Sequence, residues 1–159
     1  MIHGMKGGQD RSPVPFYVKA RCLVLGCGNI LYGDDGFGPA VAARLEAEGV
    51  TEGAWAMDVG TGARKVLFNL MLSERTPSLV IVVDAVDRGR PPGDLFWIDI
   101  GEVPAEKADD FSLHQAPTAN LLAELRDGRG VTVEILACQP AHIPGEVEHG
   151  LSSEVSAAV

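Results

Sequence analysis

Short apolar runs of strand length alternate with stretches of helical period along this chain, and that alternation constrains the fold more than any other feature. "CLVLGCG" (Cys22 to Gly28) is apolar and bounded by glycine, the pattern of a strand buried on both faces. "AWAMDVG" (Ala54 to Gly60), "LVIVVDAVD" (Leu79 to Asp87), "LFWIDI" (Leu95 to Ile100) and "VTVEILAC" (Val131 to Cys138) repeat the signal. Between them lie "GPAVAARLEAEG", "ARKVLFNLMLS" and "PTANLLAELRDG", each with apolar residues at helical spacing. "RGRPPGD" is a turn, so Leu95 to Ile100 is expected to return antiparallel beside the strand before it. Strand, helix, strand, helix predicts an α/β fold. The expected form is a three-layer α/β/α sandwich around a twisted, mostly parallel sheet of about five strands, one of them antiparallel.

The chain has 159 residues, 46% of them hydrophobic and 22% charged, which suits one folded domain with a real core. Residues 1–20, "MIHGMKGGQDRSPVPFYVKA", read as a loose N-terminal leader without the apolar stretch of a secretory signal, so residues 21–159 form the domain. A final helix is expected to open at "LSSEVSAAV" and to be cut short by the chain end. A net charge of −9 argues against nucleic acid and against anionic membrane as partners. No apolar run approaches the roughly 20 residues of a membrane span. Cys22, Cys27 and Cys138 show neither CxxC spacing nor an even count, so they read as small buried hydrophobes of a cytoplasmic protein.

In such sheets ligands gather at the carboxyl ends of the strands. The loops there are acidic. The first strand runs into "GNILYGDDGFGPA", with Asn29, Asp34 and Asp35; the second ends in "DVGTGA", with Asp58; the third in "DAVD", with Asp84 and Asp87. A later loop, "FSLHQAP", adds His114. Carboxylates brought together repel, and a divalent cation removes the repulsion. Carboxylate oxygens with one imidazole suit zinc, nickel or manganese. One of the Asp34–Asp35 pair can instead serve the N-terminus of the following helix, worth under about 1 kcal/mol at a surface.

Other chemistries lack their residues. The G-x-G after the first strand has Leu31 where a dinucleotide fingerprint needs a small residue, and its acids would repel a pyrophosphate. No G-x-S-x-G elbow occurs. His3, His142 and His149 lie in loops without acidic company, and Trp55 and Trp97 read as core or edge packing.

Three separated motifs, "LVLGCGNILYGDDGFGPAVAARL", "VVDAVDRGRPPGDL" and "SLHQAP", together resemble the nickel–iron (NiFe) hydrogenase maturation endopeptidases. The wording is most similar to the branch serving deazaflavin-reducing hydrogenases. The resemblance covers Cys22 to the C-terminus. It implies a metal- or aspartate-dependent protease that removes a C-terminal extension from the hydrogenase large-subunit precursor after nickel insertion. The ligands it implies are Asp35, Asp84 and His114, which recognise nickel supplied by the substrate; zinc, cadmium or manganese are stand-ins, and no organic cofactor is expected. Some members carry glutamate where this chain has Asp35, which leaves Asp34 as an alternative ligand. Asp58, Gly60 and Thr61 match a substrate-binding segment. No attacking group is identified. A monomer is expected, acting on the precursor as its partner. The competing reading is a non-catalytic metal-binding or metallochaperone module on the same fold; a resident-zinc amidohydrolase is a third.

Overall fold

A computed structural model describes residues 15–102 and 116–159. Five strands, β1 (Cys22–Cys27), β2 (Ala54–Gly60), β3 (Leu79–Ala85), β4 (Leu95–Ile98) and β5 (Thr132–Cys138), form one sheet in the order β2-β1-β3-β5-β4. β1, β2, β3 and β5 are parallel, and β4 runs antiparallel. Among the described residues four α-helices connect or follow them: α1 (Phe37–Glu48), α2 (Ala63–Leu72), α3 (Ala116–Arg129) and α4 (Ser153–Ala158). The expected architecture is present.

The two faces are covered unequally. Leu23, Leu25, Val82 and Ile135 of the sheet pack with Leu67 and Leu70 of α2 and Leu122 and Leu125 of α3 in the larger core. Each such fully buried aliphatic side chain contributes about 2 kcal/mol relative to exposure. On the opposite face Phe37 of α1 and Val155 of α4 pack with Val83, Ala85 and Cys138. Alternate residues of β3 and β5 therefore serve different cores, which is why these strands read as continuous apolar runs.

β4 differs from expectation in its neighbour. It pairs with β5, Trp97 opposite Leu136, and not with β3. The reason is that β3 has no free edge: β1 occupies one side from Leu79 to Val83 and β5 the other from Leu79 to Ala85. The chain leaving β3 continues that pairing, Val86 N donating to Cys138 O. β4 must then take the outer edge of β5. Its register leaves Leu95 and Trp97 exposed on one side, while Trp55 lies half-exposed on the other edge strand, β2. Both tryptophans are edge residues.

Within the stretch expected to be a leader, Phe16–Lys19 forms a 3₁₀ turn whose Tyr17 and Val18 are buried in the larger core. Tyr17 Oη accepts a hydrogen bond from Asn69 Nδ2 of α2. An aromatic and a β-branched residue supplied apolar area that the surrounding Pro and Gly had obscured in the sequence.

α1 sits unusually close to the sheet. A Cβ on Gly38 would fall 2.1 Å from Cys27 O and 2.3 Å from Val83 O; one on Gly26 would fall 2.2 Å from Gly38 O. Glycine at both positions lets the helix backbone touch the strand backbone. This contact places the turn before α1 directly above the ends of β1 and β3.

Candidate active site

The glycine-rich segment after β1 folds as a 3₁₀ turn, Gly33–Gly36, that leads into α1. Asp34 and Asp35 both lie inside it, 1% and 3% exposed, and Asp84 at the end of β3 is fully buried. Carboxylates almost never reach that burial without compensating partners. How each is compensated decides its role.

Asp34 is saturated. Its Oδ2 accepts from Ala141 N at 2.8 Å, His142 N at 3.1 Å and Ser152 Oγ at 2.9 Å, and its Oδ1 accepts from Ser152 N at 2.7 Å. Four donors leave it no capacity for a cation. It also does more than serve a helix terminus, because every one of those donors comes from the segment after β5. The expectation of a minor surface charge–dipole contact is corrected on that ground.

Asp35 is the opposite case. Oδ2 accepts from Asn29 N at 3.0 Å, and Asn29 N also approaches Asp35 O at 3.1 Å, closing the glycine-rich loop on itself. Oδ1 is buried and accepts no hydrogen bond among the described residues. Neither Asp34 nor Asp35 forms an ion pair there. A buried anionic oxygen without a donor is the kind of group that a cation stabilises.

Asp84 Oδ1 accepts from the N–H of Ala85 at 2.9 Å. Asp58 lies near the end of β2, is exposed, and accepts from Gly60 N at 2.8 Å. Cys27 reports how close these strand ends are. Burial first, then the negative charges of Asp84 and Asp58, push its thiol well above the ordinary 9.0. Cys138 is pushed up to about 11, by burial first and then by Asp34 and Asp94. Both thiols are therefore protonated at neutral pH and unsuited to nucleophilic attack.

An open groove of about 260 Å³ runs beside the turn, lined by Ile30, Gly36, Pro39, Ala43, Asp58 and Leu151. Asp58 thus faces the groove. Gly60 is held by its N–H on Asp58 and by its carbonyl on Gly28 N at 3.0 Å, and Thr61 is exposed. His114 lies outside the described residues. Among those described, no group of three or more His, Cys, Asp or Glu forms a metal cluster. His142 and His149 are exposed.

Two residues that pattern alone did not single out belong to this region. Gln139, 4% exposed, accepts from Arg88 N at 2.8 Å and Arg90 N at 3.1 Å through Oε1. Its Nε2 donates to Asp87 Oδ1 at 2.9 Å and to Pro140 O. Ser152 caps α4, accepting from Val155 N while it donates to Asp34.

Residues 39–159 match the sequence profile of the hydrogenase maturation protease family. The chain belongs to that family. The protease is 36% identical over 145 residues to the coenzyme F420 hydrogenase subunit delta of Methanothermobacter thermautotrophicus, covering 88% of each chain. It is 31% identical over 121 residues to the hydrogenase 3 maturation protease of Escherichia coli, covering 74% of this chain and 72% of the other. Its fold superposes on the crystal structure of the Thermococcus kodakarensis NiFe-hydrogenase maturation protease HycI with a TM-score of 0.68 and 25% identity, covering 88% of this chain and 85% of that one. The α/β fold is shared, and the protein is a hydrolase of the endopeptidase type. No helix among the described residues is long and apolar enough to cross a membrane.

Proposed function

We propose that this chain is a nickel-dependent maturation endopeptidase that removes the C-terminal extension of a NiFe-hydrogenase large-subunit precursor. Asp35, Asp84 and His114 are the ligands that recognise nickel already inserted in the substrate. One observation carries this reading: of two adjacent buried aspartates, Asp34 is satisfied by four protein donors and Asp35 keeps a buried oxygen that accepts none among the described residues. A buried carboxylate left in this state costs stability and waits for a positive charge. A nickel ion arriving with the precursor supplies that charge, so association and processing both become conditional on loading. His114 enters as the third ligand through the "SLHQAP" motif. Asp58 faces the groove beside the turn, where a substrate segment would lie.

The relative named as coenzyme F420 hydrogenase subunit delta favours a deazaflavin-reducing hydrogenase as the source of the precursor. The non-catalytic metal-binding reading is set aside because the family is one of proteases.

The test is to incubate the protease with matched nickel-loaded and nickel-free precursor, following the mobility shift of the large subunit. Loaded precursor should be cut, and nickel-free precursor should remain intact even with excess zinc. Efficient processing of the nickel-free form would overturn nickel recognition and favour a resident-zinc peptidase, which activates its own water. His114→Ala should abolish processing of the loaded form without unfolding the chain.

A further inference from the structure

The two loops that border the Asp35–Asp84 region are fastened to one downstream segment. At its root, where β5 ends, buried Gln139 binds the loop leaving β3 through Arg88 N, Arg90 N and Asp87 Oδ1. The backbone reinforces this contact, since Gln139 N donates to Asp94 O at 2.8 Å and Gly93 N donates to Gln139 O at 2.8 Å. Further along, Ala141, His142 and Ser152 all donate to Asp34. Between them, Gly33 N donates to Glu148 O at 2.7 Å and Glu148 N donates to Leu31 O at 2.8 Å, a parallel bridge at Tyr32 and Glu148.

We propose that Gln139 to Ser152 is a positioning strap, rooted by Gln139 and clipped by Asp34, that holds the turn bearing Asp35 in register with the end of β3 bearing Asp84. This rests on the nickel-recognition reading above. The need for such a strap follows from the local structure. Asp84 sits on a central strand paired on both sides and is fixed by the sheet. Asp35 sits in a four-residue 3₁₀ turn, whose own hydrogen bonds are poor and which glycine flanks on both sides. Strap contacts at Leu31, Gly33 and Asp34 remove the freedom that the turn would otherwise keep. Asp34 and Gln139 touch no reacting group in this scheme; they act through the placement of Asp35. Groups that orient a ligand in this way typically change metal affinity when removed.

The test is calorimetric titration of the full-length chain with nickel chloride, well below the unfolding transition, with circular dichroism confirming an unchanged fold. Asp34→Asn should weaken nickel binding about 10-fold. Gln139→Met, which keeps the volume and removes the hydrogen bonds, should weaken it in the same direction. Because both act through one strap, the double variant should bind no more weakly than Asp34→Asn alone. Ser152→Ala, which deletes one donor to Asp34, should give a smaller loss and covers the case in which Asp34→Asn fails to fold. Unchanged affinity in folded Asp34→Asn or Ser152→Ala would overturn the strap, as would losses that multiply in the double variant. If the wild-type chain binds no free nickel, the functional reading is judged by the precursor assay above, in which the metal arrives with the substrate. The strap is then judged by amide exchange: Ser152→Ala should quicken Asn29–Gly36 and leave β1 unchanged, and equal rates would overturn it.

Discussion

Asp34 and Asp35 occupy one turn at nearly equal burial, and their hydrogen-bond partners separate a structural role for Asp34 from the ligand role proposed for Asp35. Asp35→Asn should cost about 100-fold in nickel affinity, since a ligand of the proposed site outweighs the groups that orient it, and should leave thermal stability nearly unchanged, because Asp35 Oδ1 accepts no hydrogen bond among the described residues that the change could break. Asp34→Ala should do the reverse in emphasis, costing about 3 kcal/mol by chemical denaturation as four donors lose one acceptor. If Asp34 variants lost nickel binding outright and Asp35 variants retained it, the ligand in this loop would be the neighbouring residue. The sequence made the acidic turn legible, since glycine spacing and charge are local properties. It could not show which acid was spoken for. The donors to Asp34 lie 107 to 118 positions downstream and are mostly backbone N–H groups, which carry no residue signature. Gln139 was hidden for the same reason: nothing in a lone glutamine after a strand announces that it will be buried.

At the scale of elements, the strands and helices were readable because each buries a face whose period shows in the sequence. The misplaced neighbour of β4 marks the limit of that reading. Sequence adjacency suggested a hairpin, whereas the decisive fact was that both edges of β3 were already taken. The packing of α1 on β1 gives a sharp prediction at this scale. Gly38→Ala would drive a methyl group into Cys27 O, Val83 O and Cys27 N, all backbone atoms that cannot swing away. It should destabilise the protein by about 3 kcal/mol and shift α1 off the sheet, measurable as a lowered melting temperature. Gly128→Ala is the matched control. It lies in α3 with nothing near the added methyl, and should stabilise by roughly 0.5–1 kcal/mol through helix propensity.

For the molecule as a whole, the buried thiols set an alkaline limit. The folded state raises Cys138 from 9.0 to about 11, and Cys27 is raised as well. A raised folded value means that this part of the stability is fully present below pH 9.0, where the thiols are protonated in both states. It is lost as pH climbs toward about 11, where the unfolded chain ionises first. Denaturation midpoints should therefore fall across that window, and Cys138→Ala should flatten the fall. Time, rather than pH, is the other dimension in which the molecule is constrained. The clasp between Asp34 and Ser152 spans 118 positions, so it belongs to the contacts of highest order in the chain. Closing a loop that long is slow compared with forming a helix or a neighbouring β-α unit. During synthesis the glycine-rich turn emerges first, yet its clasp must wait until Ser152, 118 positions later, has been made. On the proposed reading, the turn bearing Asp35 is held in place only once Ser152 has been made, and a chain short of that residue has no finished site with which to act.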